Sequence, residues 1–168
     1  MASSYLPSAP RRRRGRPARF EVREAPAPYH TTLGPARVLV DTNVLIDVFA
    51  SDPRWFDWSS AQLARVIDTR QAVINPIVYA EVAATFEAIE ALDAALNDLA
   101  MLREHLPWPA AFLASKAHRR YRARGGKREQ TLADFFIGAH AAIADYTLLT
   151  RDGRRYREYF PKLRVIAP

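Results

Sequence analysis

The sequence contains no cysteine. This absence excludes disulfide scaffolds, thiolate zinc sites and cysteine nucleophiles. Long apolar runs are also missing, since no segment approaches the ~18 consecutive apolar residues of a membrane-spanning helix. The basic run at residues 11–14 is not followed by an apolar stretch, so the pattern does not predict a secretory signal. We therefore expect a cytoplasmic protein without membrane association.

Acidic residues are in the minority, with 18 Asp and Glu against 25 Lys and Arg, for a net charge of +7. Residues 1–36 carry seven of the basic residues, two of the acids and six of the 12 prolines. This segment has few large apolar residues and no periodicity, so we predict a disordered basic tail. It is interpreted either as an arm that binds nucleic acid or a partner, or as an extension without a function of its own.

The rest of the chain, residues 37–168, alternates between short apolar runs and helical patterns. Apolar runs typical of strands buried on both faces occur at residues 38–40 and 72–74, and two further strands are predicted at 147–149 and 164–166. Helical spacing fills the segments between them, and a leucine repeat predicts one amphipathic helix running through Leu102. The alternation predicts an α/β domain with a central, mostly parallel sheet and helices on both faces.

Carboxylates occupy positions where such a sheet binds ligands, beyond the carboxyl ends of its strands. Asp41 directly follows the first predicted strand, and Asp152 follows the strand at 147–149. Both should point into one crevice if those strands are neighbours. Glu81 and Asp134 lie in apolar helical stretches, where a lone carboxylate is costly to bury. Taken singly, each acid is also explained as a helix cap, a partner of the helix dipole or a solvated residue.

A cluster of such acids requires compensating positive charge, because neighbouring carboxylates repel and raise one another's pKa values. A divalent cation removes the conflict. Oxygen ligands without histidine or cysteine indicate Mg²⁺ or Mn²⁺ rather than zinc. Such an ion activates water and binds a phosphate oxygen, which is the chemistry of phosphodiester hydrolysis.

Four sequence blocks resemble, in order and spacing, the acidic motifs of the PIN domain family. They are residues 38–47 (VLVDTNVLID), 80–82 (AEV), 132–141 (LADFFIGAHA) and 148–152 (LLTRD). The resemblance extends from residue 37 to about the end of the chain. The compact size is similar to that of the VapC-type toxins of bacterial toxin–antitoxin pairs.

The resemblance implies a three-layer PIN-like domain over residues 37–168 and a Mg²⁺-dependent endoribonuclease, with Mn²⁺ as a substitute. In that family the first and third acids are the core metal ligands, and the second and fourth complete the catalytic site. The matching residues are Asp41 and Asp134, then Glu81 and Asp152. Supporting polar positions match Asn43 and Thr150. The implied partners are RNA, a cognate antitoxin and a second copy of the chain in a homodimer.

Basic residues near the acids are candidates for binding the RNA backbone. Arg151, Arg154 and Arg155 surround Asp152 in the sequence. A second basic cluster lies between residues 116 and 128 and includes Arg119 and Arg122. The alternative for the arginines around Asp152 is a solvated short helix. The alternative for the second cluster is a solvated helix end with cations near its carboxyl-terminal dipole.

Three other functions remain open on the sequence alone. A non-catalytic nucleic-acid-binding module would use the basic residues and keep the acids for structure. A phosphatase of the haloacid dehalogenase type also places Asp after the first strand, but it needs a second Asp where this chain has Asn43. A DNA nuclease is open because no residue pattern identifies a reader of the ribose 2′-hydroxyl.

His140 lies six residues after Asp134 on the same predicted helix. At about 100° per residue, that spacing places the two side chains on different faces of the helix. We therefore predict that His140 takes part in packing rather than in catalysis.

Overall fold

The computed structural model describes residues 37–69, 71–126 and 132–168, so the prediction of a disordered tail over residues 1–36 lies outside it. The elements in chain order are β1 (Val38–Val40), α1 (Thr42–Phe49), α2 (Phe56–Asp68), β2 (Ala72–Ile74), α3 (Pro76–Ala83), α4 (Ile89–Asp98), β3 (Leu102–Arg103), α5 (Trp108–Ala123), α6 (Leu132–Ile143), β4 (Thr147–Leu149), α7 (Gly153–Tyr159) and β5 (Val165–Ile166). Among these helices, none combines the length and the apolar character needed to cross a membrane.

The five strands form one parallel sheet in the order β3-β2-β1-β4-β5. The predicted α/β class is confirmed, and the strands β1 and β2 are buried throughout because every residue in them is apolar. The chain adds β2 and β3 on one side of β1 and then returns to place β4 on its other side. This reversal of strand order lies between β1 and β4, and parallel sheets form their ligand crevice at such a reversal.

Helix starts directly after the central strands place side chains at the carboxyl edge of the sheet. Helix α1 begins one residue after Asp41, which itself follows the last residue of β1. Helix α3 begins with Pro76 at its first position, behind an Asn75 side chain that accepts from the amides of Ile77 and Val78 at 3.0 Å each. The asparagine cap and the proline both favour a helix start at this point.

The predicted helix through Leu102 is wrong in its last turn. Ala100 adopts a left-handed conformation with φ of 49°, and the amide of Met101 bonds back to the carbonyl of Leu96 at 3.1 Å. These features form a Schellman motif, which ends α4 and redirects the chain. Leu102 then pairs with β2 as part of the short edge strand β3, and its helical spacing in the sequence is a coincidence.

A glycine on α6 allows α7 to pack closely against it. A Cβ atom at Gly138 would lie 2.5 Å from the ring of Phe160 and 2.8 Å from the ring of Tyr156. Any larger residue would therefore push α7 outward. This contact fixes the position of Tyr156, whose hydroxyl group reaches the carboxyl edge of the sheet.

Candidate active site

Four carboxylates meet at the carboxyl edge of the sheet, and we call this group the acid edge: Asp41, Glu81, Asp134 and Asp152. Asp41 follows β1, Asp152 follows β4, and the other two acids lie on α3 and α6. Their charges act on one another. The charge of Asp134 raises the pKa of Asp41, and the charges of Glu81 and Asp152 raise the pKa of Asp134. Strands β1 and β4 are neighbours, which is the condition under which Asp41 and Asp152 were expected to share one crevice.

Asp41 is the most buried of these acids, with 2% of its surface exposed. Three donors converge on its Oδ2 atom: Asn43 Nδ2 at 2.7 Å, Thr150 Oγ1 at 2.6 Å and the Tyr156 hydroxyl at 3.2 Å. Burial raises the pKa of Asp41 to about 6, the Thr150 hydrogen bond opposes this rise, and the charge of Asp134 adds to it. The side chain is thus held in one orientation although its charged form is unfavourable.

The loop after β4 is bonded to the first turn of α1 through two polar residues. Thr150 Oγ1 accepts from Asn43 Nδ2 and from the Asp152 amide, both at 3.1 Å. Asn43 Oδ1 accepts from the Arg151 amide at 3.2 Å. The structure therefore places Asn43 and Thr150 where the sequence predicted support for Asp41, and it ties Asp152 into the same frame.

Two residues that orient the acids were missed by the sequence analysis. Thr42 Oγ1 donates to Glu81 Oε2 at 2.5 Å, and Tyr156 donates to Asp41. Burial and the neighbouring carboxylates raise the pKa of Tyr156 well above its usual value, so its hydroxyl remains a donor. The partners lie 39 and 115 residues apart in the chain, and no local sequence pattern indicates such pairs.

Arg155 lies between two members of the acid edge. Its Nη1 atom pairs with Asp134 Oδ2, and its Nη2 atom pairs with Asp152 Oδ2 at 2.8 Å. Burial raises the pKa of Asp134, Arg155 opposes this rise, and the charges of Glu81 and Asp152 add to it. The arginine predicted to bind RNA thus neutralises part of the acid edge in this structure.

The other two arginines near Asp152 differ in their surroundings. Arg151 pairs with Asp47, a carboxylate that is 2% exposed and also accepts from Ser59 Oγ at 2.8 Å. Arg154 is exposed on α7. Asp47 was also missed, although it lies in an apolar helical stretch as Glu81 does, and that signal was available in the sequence.

Arg119 and Arg122 are exposed on α5, the helix that packs along α6. Arg122 donates to the carbonyl of Gly126 at 3.2 Å. Within the described ranges, no hydrogen bond or ion pair joins either arginine to the acid edge. Residues 127 and 128 of the predicted basic cluster lie outside those ranges. RNA binding by this surface stays a prediction.

The acid edge fits a divalent cation in ligand type and in charge. All its side-chain ligands are oxygens, which suits Mg²⁺ and Mn²⁺. Arg155 pairs with two of the four acids, and the raised pKa values of Asp41 and Asp134 reflect the charge of neighbouring carboxylates as well as burial. In the part of the chain that the structure describes, no three acidic or histidine side chains are arranged to hold a metal ion as they stand.

A second buried polar group lies among α3, β3 and α6, and we call it the imidazole cluster: Asn75, Glu104 and His140. Asn75 Oδ1 caps α3, so its Nδ2 donates to His140 Nδ1 at 3.2 Å. The imidazole proton is then on Nε2, which lies 3.9 Å from Glu104 Oε2. Burial lowers the pKa of His140 to about 4, so the ring is neutral at physiological pH. His140 is 1% exposed, in agreement with the predicted packing role.

Comparison with known proteins places this architecture in a family. The PIN domain model matches residues 38–160. A toxin–antitoxin complex from Klebsiella pneumoniae is similar with 22% identity and a TM-score of 0.58, covering 78% of this chain and 97% of that chain. VapBC2 from Rickettsia felis, bound to a DNA fragment from its promoter, gives 17% identity and a TM-score of 0.58, with 77% and 97% coverage. FitAcB from Neisseria gonorrhoeae gives 21% identity and a TM-score of 0.54, with 78% and 97% coverage.

No curated protein sequence matches the chain. The solved structures share its fold at low identity. The family model spans the sheet from β1 through α7 and contains every member of the acid edge. The chain therefore belongs to the PIN domain family.

Proposed function

We propose that this protein is a metal-dependent endoribonuclease and the toxin of a type II toxin–antitoxin pair. The observation that carries the proposal is the acid edge, in which a buried Asp41 is held by three donors beside three further carboxylates. An arrangement that raises the pKa of its own carboxylates is typical of a functional site rather than of a stabilising one. Membership of the PIN family and the similar toxin–antitoxin structures support the biological role.

The proposed cofactor is Mg²⁺, with Mn²⁺ as a substitute. Asp41 and Asp134 would hold it, and Glu81 and Asp152 would complete the site directly or through water. When bound, the ion supplies a Lewis acid for the phosphate and lowers the pKa of a bound water. Glu81 is oriented by Thr42 through Oε2 and is the proposed acceptor for the proton of the attacking water.

The proposed substrate is RNA, bound through exposed arginines around the crevice. Arg154 is exposed on α7, two residues after Asp152, which suits a contact with the phosphate backbone. Arg119 and Arg122 extend positive charge along α5. Binding through these residues should weaken as salt concentration rises, because phosphate contacts release counterions.

The proposed protein partners are a cognate antitoxin and a second copy of the chain. The antitoxin would block cleavage by inserting a segment into the crevice of the acid edge. The similar structures of VapBC2 and of the Klebsiella pneumoniae complex support the first partner. The homodimer rests on the family resemblance.

A non-catalytic nucleic-acid-binding module is the second candidate function. Arg155 favours it, because the guanidinium pairs with Asp134 and Asp152 and offsets part of their charge. This candidate predicts that the folded chain binds RNA but leaves it intact when Mg²⁺ is present.

Cleavage of total cellular RNA by the purified full chain distinguishes these functions. The comparison includes the wild type, Asp41→Asn, Asp134→Asn and the control Asp145→Asn, each with Mg²⁺ and with EDTA. Asp145 is a matched control because it is 90% exposed and has φ of 56°, a conformation that asparagine tolerates. We expect discrete fragments from the wild type and the control with Mg²⁺ only.

Intact RNA after incubation with folded, antitoxin-free, Mg²⁺-loaded wild type would contradict the nuclease and favour the binding module. A parallel reaction with single- and double-stranded DNA tests the sugar preference. Equal cleavage of DNA would overturn the assignment to ribonucleases while retaining a metal-dependent nuclease.

A further inference from the structure

We propose that Arg155 is an internal counter-ion of the acid edge, which holds Asp134 and Asp152 in the metal-free protein and competes with the divalent cation for them. The inference rests on the proposed function, because it takes the acid edge to be a metal site. It adds that metal loading requires Arg155 to release at least one of its two carboxylates.

Arg155 pairs with two acids from different parts of the chain. Nη1 pairs with Asp134 Oδ2 of α6, whereas Nη2 pairs with Asp152 Oδ2, the residue before α7. A guanidinium has donors only, in a rigid planar fork. Each of the two terminal nitrogens therefore holds its own carboxylate. This agrees with the finding that no three acidic or histidine side chains among the described residues are arranged for a metal ion.

The position of Arg155 strengthens its ion pairs with Asp134 and Asp152. It lies three residues after Asp152, at a spacing that brings side chains together on a helix. Its side chain is 28% exposed and that of Asp134 is 25% exposed. Partial shielding from water makes the pair stronger than an open surface ion pair.

A metal ion and Arg155 require the same negative charge. A divalent cation beside the guanidinium would be repelled, and Arg155 already occupies one oxygen of Asp134 and one of Asp152, the Oδ2 atom in each case. Only molecules in which Arg155 has released at least one carboxylate are then competent to bind the metal ion. The apparent affinity for metal is reduced by the fraction of such molecules.

Calorimetric titration of Mn²⁺ into the metal-free full chain tests the competition. The variants are Arg155→Gln, Arg155→Lys and the matched control Arg154→Gln, which removes the same charge from an exposed neighbour. We expect Arg155→Gln to bind Mn²⁺ about tenfold more tightly than Arg154→Gln, as for a competent state populated at about one-tenth. Lysine presents a single ammonium group and should give an intermediate affinity.

An Arg155→Gln affinity equal to that of the control would show that the metal uses other oxygens, and the competition would be refuted. A weaker affinity would show that Arg155 positions the acids for metal, which also overturns the inference.

A second measurement covers the case in which Arg155→Gln does not fold. The side-chain Nε–H signal of Arg155 in the wild type is followed by NMR as Mg²⁺ is added, with Arg155→Lys for assignment. We expect this signal to shift and the Arg154 signal to remain in place. An unchanged Arg155 signal at saturating Mg²⁺ would contradict the inference.

The two proposals fail in different ways. Tight Mn²⁺ binding without RNA cleavage would contradict the nuclease and leave the competition intact. RNA cleavage with equal Mn²⁺ affinity in Arg155→Gln and Arg154→Gln would refute the competition alone. Absence of Mn²⁺ binding to every variant would contradict both.

Discussion

The acid edge and the imidazole cluster each contain deeply buried polar side chains, but the electrostatics of these side chains differ. In the imidazole cluster the ring of His140 is neutral and its Nδ1 accepts from Asn75, whose other amide atom caps α3. In the acid edge, Asp41 is as deeply buried, and burial raises its pKa to about 6 beside further carboxylates. In the first cluster the imidazole is neutral, and the single carboxylate, Glu104, is paired with Arg37 and accepts from Tyr146. The second cluster gathers four carboxylates, two of which pair with Arg155.

This difference distinguishes residues that stabilise the fold from carboxylates whose charged form is disfavoured by burial and by neighbouring like charges. A buried polar group that finds its partners contributes to stability. A cluster of like charges destabilises the folded chain and persists only because the surrounding contacts fix it. Asn75 and His140 are therefore expected to stabilise the fold, and the electrostatics of the acid edge support its proposed role in chemistry.

The largest expected effect comes from neutralising the acid edge itself. Asp41→Asn should reduce RNA cleavage by at least about 10³-fold, the scale on which transition-state charge stabilisation is lost. It should leave the free energy of unfolding at neutral pH undiminished, because the variant removes an unfavourable buried charge. Cleavage rates and urea unfolding of the same preparation check both parts. A variant that loses stability together with cleavage would contradict the separation.

Asn75→Ala should show the reverse pattern. It removes the cap of α3 and leaves His140 Nδ1 without its donor, so the free energy of unfolding should fall by about 3 kcal/mol. Cleavage by the folded fraction should persist. Asn97→Ala on the exposed surface of α4 is the control, and it should change stability by less than about 0.5 kcal/mol. Full loss of cleavage in folded Asn75→Ala would contradict a purely stabilising role and would show that catalysis requires the imidazole cluster.

The pH dependence of metal-free stability should differ in sign between the two regions. The raised pKa of Asp41 means that the folded chain binds more protons between pH 3.8 and about 6. The contribution of Asp41 to the free energy of unfolding is therefore full at low pH and is lost as the pH rises through this window. The lowered pKa of His140 means that the unfolded chain binds more protons between about 4 and 6.5, so its contribution grows with pH.

Urea unfolding of metal-free wild type and Asp41→Asn across this window measures the Asp41 component. Relative to the wild type, Asp41→Asn should gain up to about 3 kcal/mol as the pH rises from 4 to 6, from roughly two pKa units at about 1.4 kcal/mol each. A constant difference between the two proteins over this range would refute the pKa assignment.

The smallest effect is expected from single hydroxyl groups. Tyr156→Phe removes one donor from Asp41, and Tyr146→Phe removes a 3.0 Å hydrogen bond to Glu104. Each should lower the free energy of unfolding by about 1 kcal/mol. Only Tyr156→Phe should also slow cleavage, because the pKa of Asp41 then rises further and its orientation loosens. Equal cleavage by both variants would show that the hydroxyl of Tyr156 has a structural role alone.

Much of the fold follows from the sequence because its central strands are continuous apolar runs. Residues 38–40, 72–74 and 147–149 were predicted as strands with the bounds observed. The edge strand β3 was missed because it has two residues, both exposed, and because Leu102 continues a leucine repeat. Its formation depends on the left-handed Ala100, and alanine gives no sequence signal for that conformation.

The acid edge was predicted in its members but not in its arrangement. Strand ends and apolar surroundings identify the acids from local sequence. The contacts made by Thr42 and Tyr156, and the position of Arg155 between two carboxylates, depend on how distant helices pack. The roles of the acids in metal binding and catalysis stay predictions.

The measurement that tests the central claim most directly is the effect of Mg²⁺ on the free energy of unfolding of the metal-free protein. The claim is that a divalent cation relieves the charge of the acid edge, so saturating Mg²⁺ should stabilise the wild type by about 1–3 kcal/mol through linkage. NaCl at equal ionic strength should not reproduce the effect, and Asp134→Asn should lose most of it. Equal stability of the wild type with Mg²⁺ and with NaCl would contradict the account.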